Sequence, residues 1–83
     1  PMKTAGEPLA LEFDPRSGRA SYRFRHDPAI RMPTELFVPA YQYPNGCRVE
    51  VSDGEYELDL ASQRLVYRHG LNQAEHLIVL RRG

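Results

Sequence analysis

The sequence predicts an all-β fold: a small antiparallel β-sandwich of about seven short strands, built like immunoglobulin-like and carbohydrate-binding modules. Three observations predict it. Apolar side chains recur at every second residue in several separate segments, which is the period of a strand with one buried face. Clusters of Gly, Pro, Asn, Asp and Ser divide those segments at short intervals. No segment carries a helical rhythm of useful length; residues 71–77 leave room for a single turn, too short to propagate.

Taken in order, Pro1 and the run Met2-Lys3-Thr4-Ala5-Gly6 read as a linker cut within a longer chain, so that residues 1–7 precede a domain over 8–82. Leu9, Leu11 and Phe13 then alternate with polar or small neighbours. After the loop Asp14-Pro15-Arg16-Ser17-Gly18, so do Ala20, Tyr22, Phe24 and His26. Pairing Phe13 with Ala20, Leu11 with Tyr22 and Leu9 with Phe24 puts both rows on one face and fixes a hairpin register. Asp27-Pro28 and Met32-Pro33 mark residues 27–33 as a crossover to a second sheet, since proline cannot donate to a ladder. Thr34–Val38 is a short strand closed by Pro39, and Pro44-Asn45-Gly46 is a turn. Cys47, Val49 and Val51, then Tyr56, Leu58 and Leu60, then Leu65 and Tyr67 read as a three-strand meander. The pairs Val51–Tyr56, Val49–Leu58, Leu60–Leu65 and Leu58–Tyr67 would share one apolar face. Its outer face would set Arg48 opposite Asp59, Arg68 beside Glu57, and Glu50 opposite Glu57, with the opposite charges mildly stabilising. His76–Leu80 is apolar on both faces and is expected to be central or covered.

Bulk properties narrow the function. Eighty-three residues make one domain. A chain of this size buries only about 60% of its unfolded surface and has little room for a deep cleft. Eleven basic residues balance eleven acidic ones, without the basic surplus that drives nucleic-acid binding. Arg81 and Arg82 read as a solvated tail. Cys47 is the sole cysteine, so no internal disulfide forms, and its place on an apolar strand face suits a buried thiol. No apolar run approaches the ~20 residues of a membrane span.

Residues capable of chemistry are present but do not assemble into a recognisable motif. Glu57 and Asp59 share a strand face, yet nothing in the pattern builds a pocket around them, and the row Asp53, Glu55, Glu57, Asp59 reads as a solvated face. The Asp53-Gly54 turn lacks the spacing of an EF-hand calcium loop. His26, His69 and His76 share no close metal-ligand spacing, so no metal site is expected, and His26 reads as a hydrogen-bonded histidine at a strand end. No serine sits in a nucleophile elbow, no glycine loop cradles phosphate, and no cofactor is implied. Tyr41 and Tyr43, alternating with Gln42, could form a small stacking face for sugar or pack on a core or a neighbouring domain. Leu36-Phe37-Val38 is apolar on both faces of its strand. One face meets the core, and the other meets either a loop of the same domain or a partner.

Three runs carry a family resemblance. Pro33-Thr34-Glu35-Leu36-Phe37-Val38-Pro39, Tyr43-Pro44-Asn45-Gly46 and Val49-Glu50-Val51-Ser52-Asp53-Gly54 resemble the C-terminal domain of endoglycoceramidase-type enzymes in glycoside hydrolase family 5. The opening hairpin, with Phe13-Asp14 and Tyr22-Arg23-Phe24-Arg25, resembles the same domain, and the likeness extends over residues 8–80. It implies a parent with an N-terminal (β/α)8 barrel that holds both catalytic glutamates and hydrolyses glycolipids such as glycosylceramides. The chain itself would then be a non-catalytic accessory domain, docking on that barrel through Leu36, Phe37 and Val38. The alternative is a carbohydrate- or membrane-surface-binding module that uses Tyr41 and Tyr43. A secreted or extracellular setting follows from the same resemblance.

Overall fold

The structure, a computed structural model, describes residues 4–83. Strands form where the two-residue alternation runs: β1 (Gly6–Asp14), β2 (Arg19–His26), β3 (Thr34–Phe37), β4 (Cys47–Val51), β5 (Glu55–Asp59), β6 (Arg64–Arg68) and β7 (Glu75–Arg82). One turn of 3-10 helix, Ala40–Gln42, interrupts them. Two antiparallel sheets result, a four-stranded one in the order β1-β2-β7-β4 and a three-stranded one in the order β3-β6-β5.

The first hairpin pairs Phe13 with Ala20 and Leu11 with Tyr22, as the alternation requires. Leu9 does not reach Phe24. Pro8 takes that place, and the register shifts between Pro8 and Ala10. A bulge beside a proline is tolerated here because β1 is an edge strand. Gly18, at φ 74°, closes the turn by donating its N–H to the Asp14 carbonyl at 2.8 Å. The packed domain also starts earlier than residue 8. Ala5 is buried, its N–H donates to Thr34 Oγ1 at 3.1 Å, and its carbonyl accepts from Asp27. Thr4 meets the Tyr22 hydroxyl. Residues 4–7 therefore belong to the fold, and the linker reading of residues 1–3 lies outside the described residues.

Residues 27–33 do carry the chain across to the second sheet, and β7 is central, between β2 and β4. The meander does not form. β4 pairs with β7, Val49 opposite Leu80, and the chain changes sheet again at Ser52–Gly54. The hairpin of β5 and β6 sets Tyr56 opposite Tyr67 and Leu58 opposite Leu65, two residues from the expected register. A two-residue slip leaves every side chain on its own face, so alternation alone cannot choose between the two. The turn chooses. Asp59 Oδ1 accepts the N–H groups of Ala61 and Ser62, and Gln63 takes φ 56°. The outer charges re-pair accordingly: Asp59 lies opposite Arg64, Glu55 opposite Arg68, and Glu50 bonds Arg81 at 2.9 Å. Arg82 is no free tail either. Its guanidinium donates to the Gln42 and Arg16 carbonyls at 2.9 and 3.0 Å and clasps the end of β7 to two loops.

Between the sheets lie Tyr22 and Phe24 of β2, Ile78 and Leu80 of β7, Leu36 of β3, Leu65 and Tyr67 of β6, and the loop residues Val38 and Tyr43. Burying each of the aliphatic and Phe side chains stabilises by about 1.5–3 kcal/mol. The second sheet has one strand fewer than the first, so β1 lies beyond its edge. Leu9, Leu11 and Phe13 keep large apolar surfaces exposed as a result.

Candidate functional site

The chain's three histidines, His26 from the first half of the chain and His69 and His76 from the second, meet at one end of the sandwich. Each one extends an inward apolar row by a single step. His26 follows Tyr22 and Phe24 along β2, His76 precedes Ile78 and Leu80 along β7, and His69 continues Leu65 and Tyr67 past the end of β6. His76 lies opposite Phe24 in the ladder. The ring of His26 stacks on that of His69 with centroids 4.5 Å apart, and both lie within 5.0 Å of the His76 ring.

Asp53 organises this cluster. Its Oδ1 accepts from His76 Nδ1 at 2.7 Å and from the Tyr67 hydroxyl at 2.7 Å, and its Oδ2 accepts from the Gly70 N–H at 2.7 Å. With His76 Nδ1 donating to the carboxylate, the tautomer that leaves Nε2 unprotonated accepts there from His26 Nδ1–H at 2.8 Å. Gly70 must be glycine for this approach, since a Cβ there would sit 2.6 Å from Asp53 Oδ2. His69 Nδ1 is buried and has no hydrogen-bond partner.

The electrostatics follow from these contacts. Burial alone would raise the Asp53 carboxyl, but donors from His76, Tyr67 and Gly70 outweigh it and hold the group below its ordinary value. Burial and the adjoining carboxylate push the Tyr67 hydroxyl well up. Burial, followed by the neighbouring His76 and His26, pushes His69 down and keeps it neutral at pH 7. The three imidazoles offer nitrogens within 4.8 Å of one another, the only such group of metal-ligating side chains among the described residues. The separation in sequence hid this cluster. The signal that marks it is a histidine at the end of each of three inward rows.

The residues singled out by sequence are scattered by comparison. Tyr41 is 77% exposed on the 3-10 turn, whereas Tyr43 is buried in the core and donates its hydroxyl to the Gly18 carbonyl at 2.9 Å. A paired tyrosine face is therefore not built. Proline-flanked backbone breaks the alternation at residues 39–43, so the two rings part. Leu36 and Val38 point into the core, at 7% and 0% exposure, and only Phe37 remains outside, at 55%. The docking reading narrows from three residues to one. Phe37 gains company from the first sheet, however. With Leu11, Ala20, Tyr22, Leu36 and Leu80 it lines an apolar notch of about 220 Å³ where β1 overhangs β3. Glu55, Glu57 and Asp59 are exposed to solvent. Cys47 is half-buried against the core, and burial pushes its thiol up.

Residues 1–80 match the glycoside hydrolase family 5 C-terminal domain. The chain belongs to that family. The domain is 46% identical over 55 residues to endoglycoceramidase I of Rhodococcus hoagii, a stretch that covers 66% of this chain and 11% of that protein. Its fold matches that of endo-glycoceramidase II from Rhodococcus sp., solved as a lactosyl-enzyme intermediate, with a TM-score of 0.76 at 22% identity over 96% of this chain and 18% of that one. Sterylglucosidase 1 of Cryptococcus neoformans shares the fold with a TM-score of 0.82 at 21% identity, over 96% of this chain and 13% of that one. The family 5 C-terminal domain described here thus spans about a tenth of the curated relative's length, and less than a fifth of the length of each of these structures.

Proposed function

We propose that this domain is a non-catalytic accessory module of an endoglycoceramidase-like glycoside hydrolase. It braces a (β/α)8 barrel of the same polypeptide that hydrolyses glycosylceramides, in an extracellular setting. The observation that supports this reading is the notch: Phe37 and Leu11, which line it, and Phe13 on the same row of β1 carry apolar surface that none of the described residues covers. A large exposed apolar patch on a small domain marks an interaction surface. The chain's small share of its relative's length supports a much larger neighbour in the same polypeptide.

The test is Phe37→Glu in the full-length protein. A charge buried in an apolar interface without a partner is costly. The variant should lower the unfolding midpoint or the soluble yield, while the surviving folded enzyme keeps its kcat/KM on glycolipid. An unchanged midpoint would remove the notch from the interface. The alternative of sugar or membrane-surface binding is left with Tyr41 as its one exposed tyrosine of the pair. It calls for vesicle or glycan binding that Tyr41→Ala abolishes.

A further inference from the structure

We propose that His26, His69 and His76 form a binding site for a divalent first-row cation, with Zn²⁺ held by three imidazole nitrogens and a water in the fourth position. Zinc takes neutral histidine nitrogens at about 2.0–2.1 Å in tetrahedral sites, which sets adjacent ligand atoms about 3.3 Å apart. The nitrogens found here lie within 4.8 Å of one another, and the His26 Nδ1 to His76 Nε2 pair stands at 2.8 Å. One ligand pair therefore has to open by a few tenths of an ångström around the ion, and His69 has to close in.

Three features favour a metal over a purely structural histidine packing. First, His76 already has the carboxylate partner that orients a zinc-binding imidazole. Its Nδ1 donates to the Asp53 carboxylate at 2.7 Å, which fixes the tautomer and aims the Nε2 lone pair into the cluster. Asp53 is itself held by Tyr67 and Gly70, so this ligand is positioned before any ion arrives. Second, His69 Nδ1 is buried with no partner, and an orphaned buried polar atom destabilises the fold unless something satisfies it. Third, there is an entry path. His26 and His69 line an open depression with Asp27, Arg68, Met32 and Leu71.

The ion changes which protons are present. Its arrival displaces the single proton shared between His26 Nδ1 and His76 Nε2. That proton moves to His26 Nε2, so binding at this pair requires no proton to be released from it. His69 lies just past β6, outside any strand, and its ring turns out of its stack on His26 to present its lone pair. The bound ion would tie the loop after β6 to the ends of β2 and β7.

The test uses the full-length protein, stripped with a chelator and titrated with Zn²⁺ alone and, separately, with Co²⁺. The expected result is a rise of roughly 5 °C or more in the unfolding midpoint of this domain at saturating Zn²⁺, together with the visible d–d bands of tetrahedral Co²⁺. In His69→Gln both should weaken at least tenfold in metal concentration, with the metal-free midpoint near that of the parent. His26→Gln serves the same purpose should His69→Gln fail to fold. The absence of both a midpoint shift and a Co²⁺ band in the parent protein overturns the proposal. So does an equal response in the variants, which would place the metal elsewhere in the polypeptide.

Discussion

Replacing Asp53 probes the arrangement that closes the histidine end of the core. Its carboxylate accepts from the Tyr67 hydroxyl, the Gly70 N–H and His76 Nδ1, each at 2.7 Å, and from Ser52 Oγ at 3.1 Å. A hydrogen bond to a charged group contributes about 1.5–3 kcal/mol, but bonds that share one acceptor do not add. In Asp53→Ala the Tyr67 hydroxyl keeps its second acceptor, the carbonyl of residue 53, also at 2.7 Å. Gly70, only half-buried, finds water. The His76 side chain is 0% exposed, so its Nδ1–H is left with no partner at all. That orphaned donor and the lost charge-assisted bond together cost about 3–4 kcal/mol. The whole domain has about 4–12 kcal/mol to lose. At about 4–8 °C per kcal/mol, the midpoint should fall by about 12–32 °C. Tyr67→Phe removes a single neutral donor and should cost about 1 kcal/mol. Urea or thermal unfolding of both variants measures the difference. An Asp53→Ala protein within 1 kcal/mol of the parent would show that water replaces the carboxylate freely and that the cluster is not closed as described.

Acid should weaken the metal-free protein in two windows. His69 is held below its ordinary 6.5, so as pH falls through 6.5 the unfolded chain takes up a proton that the folded one refuses, and stability drops. Asp53 is held below 3.8, so its contribution is full above that value and is lost as pH falls through its lower folded value. Midpoints recorded from pH 8 to pH 3 should show both declines, the first absent in His69→Gln; a flat profile between pH 7 and 5 would contradict the burial of His69. At the turn into β5, Gly54 takes φ 78° and a Cβ there would stand 2.2 Å from the Arg68 carbonyl oxygen. Gly54→Ala should cost about 1–3 kcal/mol in urea unfolding. Gly46→Ala, at φ 100° but with open space around the new Cβ, should cost less; equal costs would mean that the φ alone matters.

The alternation showed which residues face inward, but not which strands pair. Ala20, Tyr22 and Phe24, and Leu65 with Tyr67, have the faces their spacing implies. The double-sided apolar run at His76–Leu80 correctly announces a central strand. Partner choice fails where a short loop is ambiguous. Ser52-Asp53-Gly54 has the composition of a hairpin turn, yet there it carries the chain between sheets, because the Asp53 carboxylate is engaged not only by Ser52 of its own turn but also by Tyr67, Gly70 and His76. No local rule encodes those contacts, which join residues 14 to 23 positions apart. The same holds for the candidate site. Asp53 reads as one more solvated acid in a row of four, and the histidines as isolated, until three rows are laid side by side. Tyr43 illustrates the opposite error: two aromatics spaced for one strand face are split by a 3-10 turn that the prolines at 39 and 44 flank.

The β1 strand shows what alternation reports. Its apolar row is as regular as that of β2, to which it is registered residue for residue from Ala10 to Asp14. Within this chain only the β2 row is covered, because the facing sheet ends at β3. A nine-residue edge strand with exposed leucines and a phenylalanine is a standing aggregation hazard for a lone domain. Proteins that leave such an edge bare usually protect it with charge or proline. Here Pro8 and its bulge protect only the first third, while Leu11 and Phe13 lie beyond them, beside the notch that Phe37 shares. That the described residues leave this row bare supports the proposed docking on a surface outside the domain. Burial of Leu36 and Val38 leaves the proposed docking to Phe37 and the notch at the step between the two sheets, where both layers contribute a side.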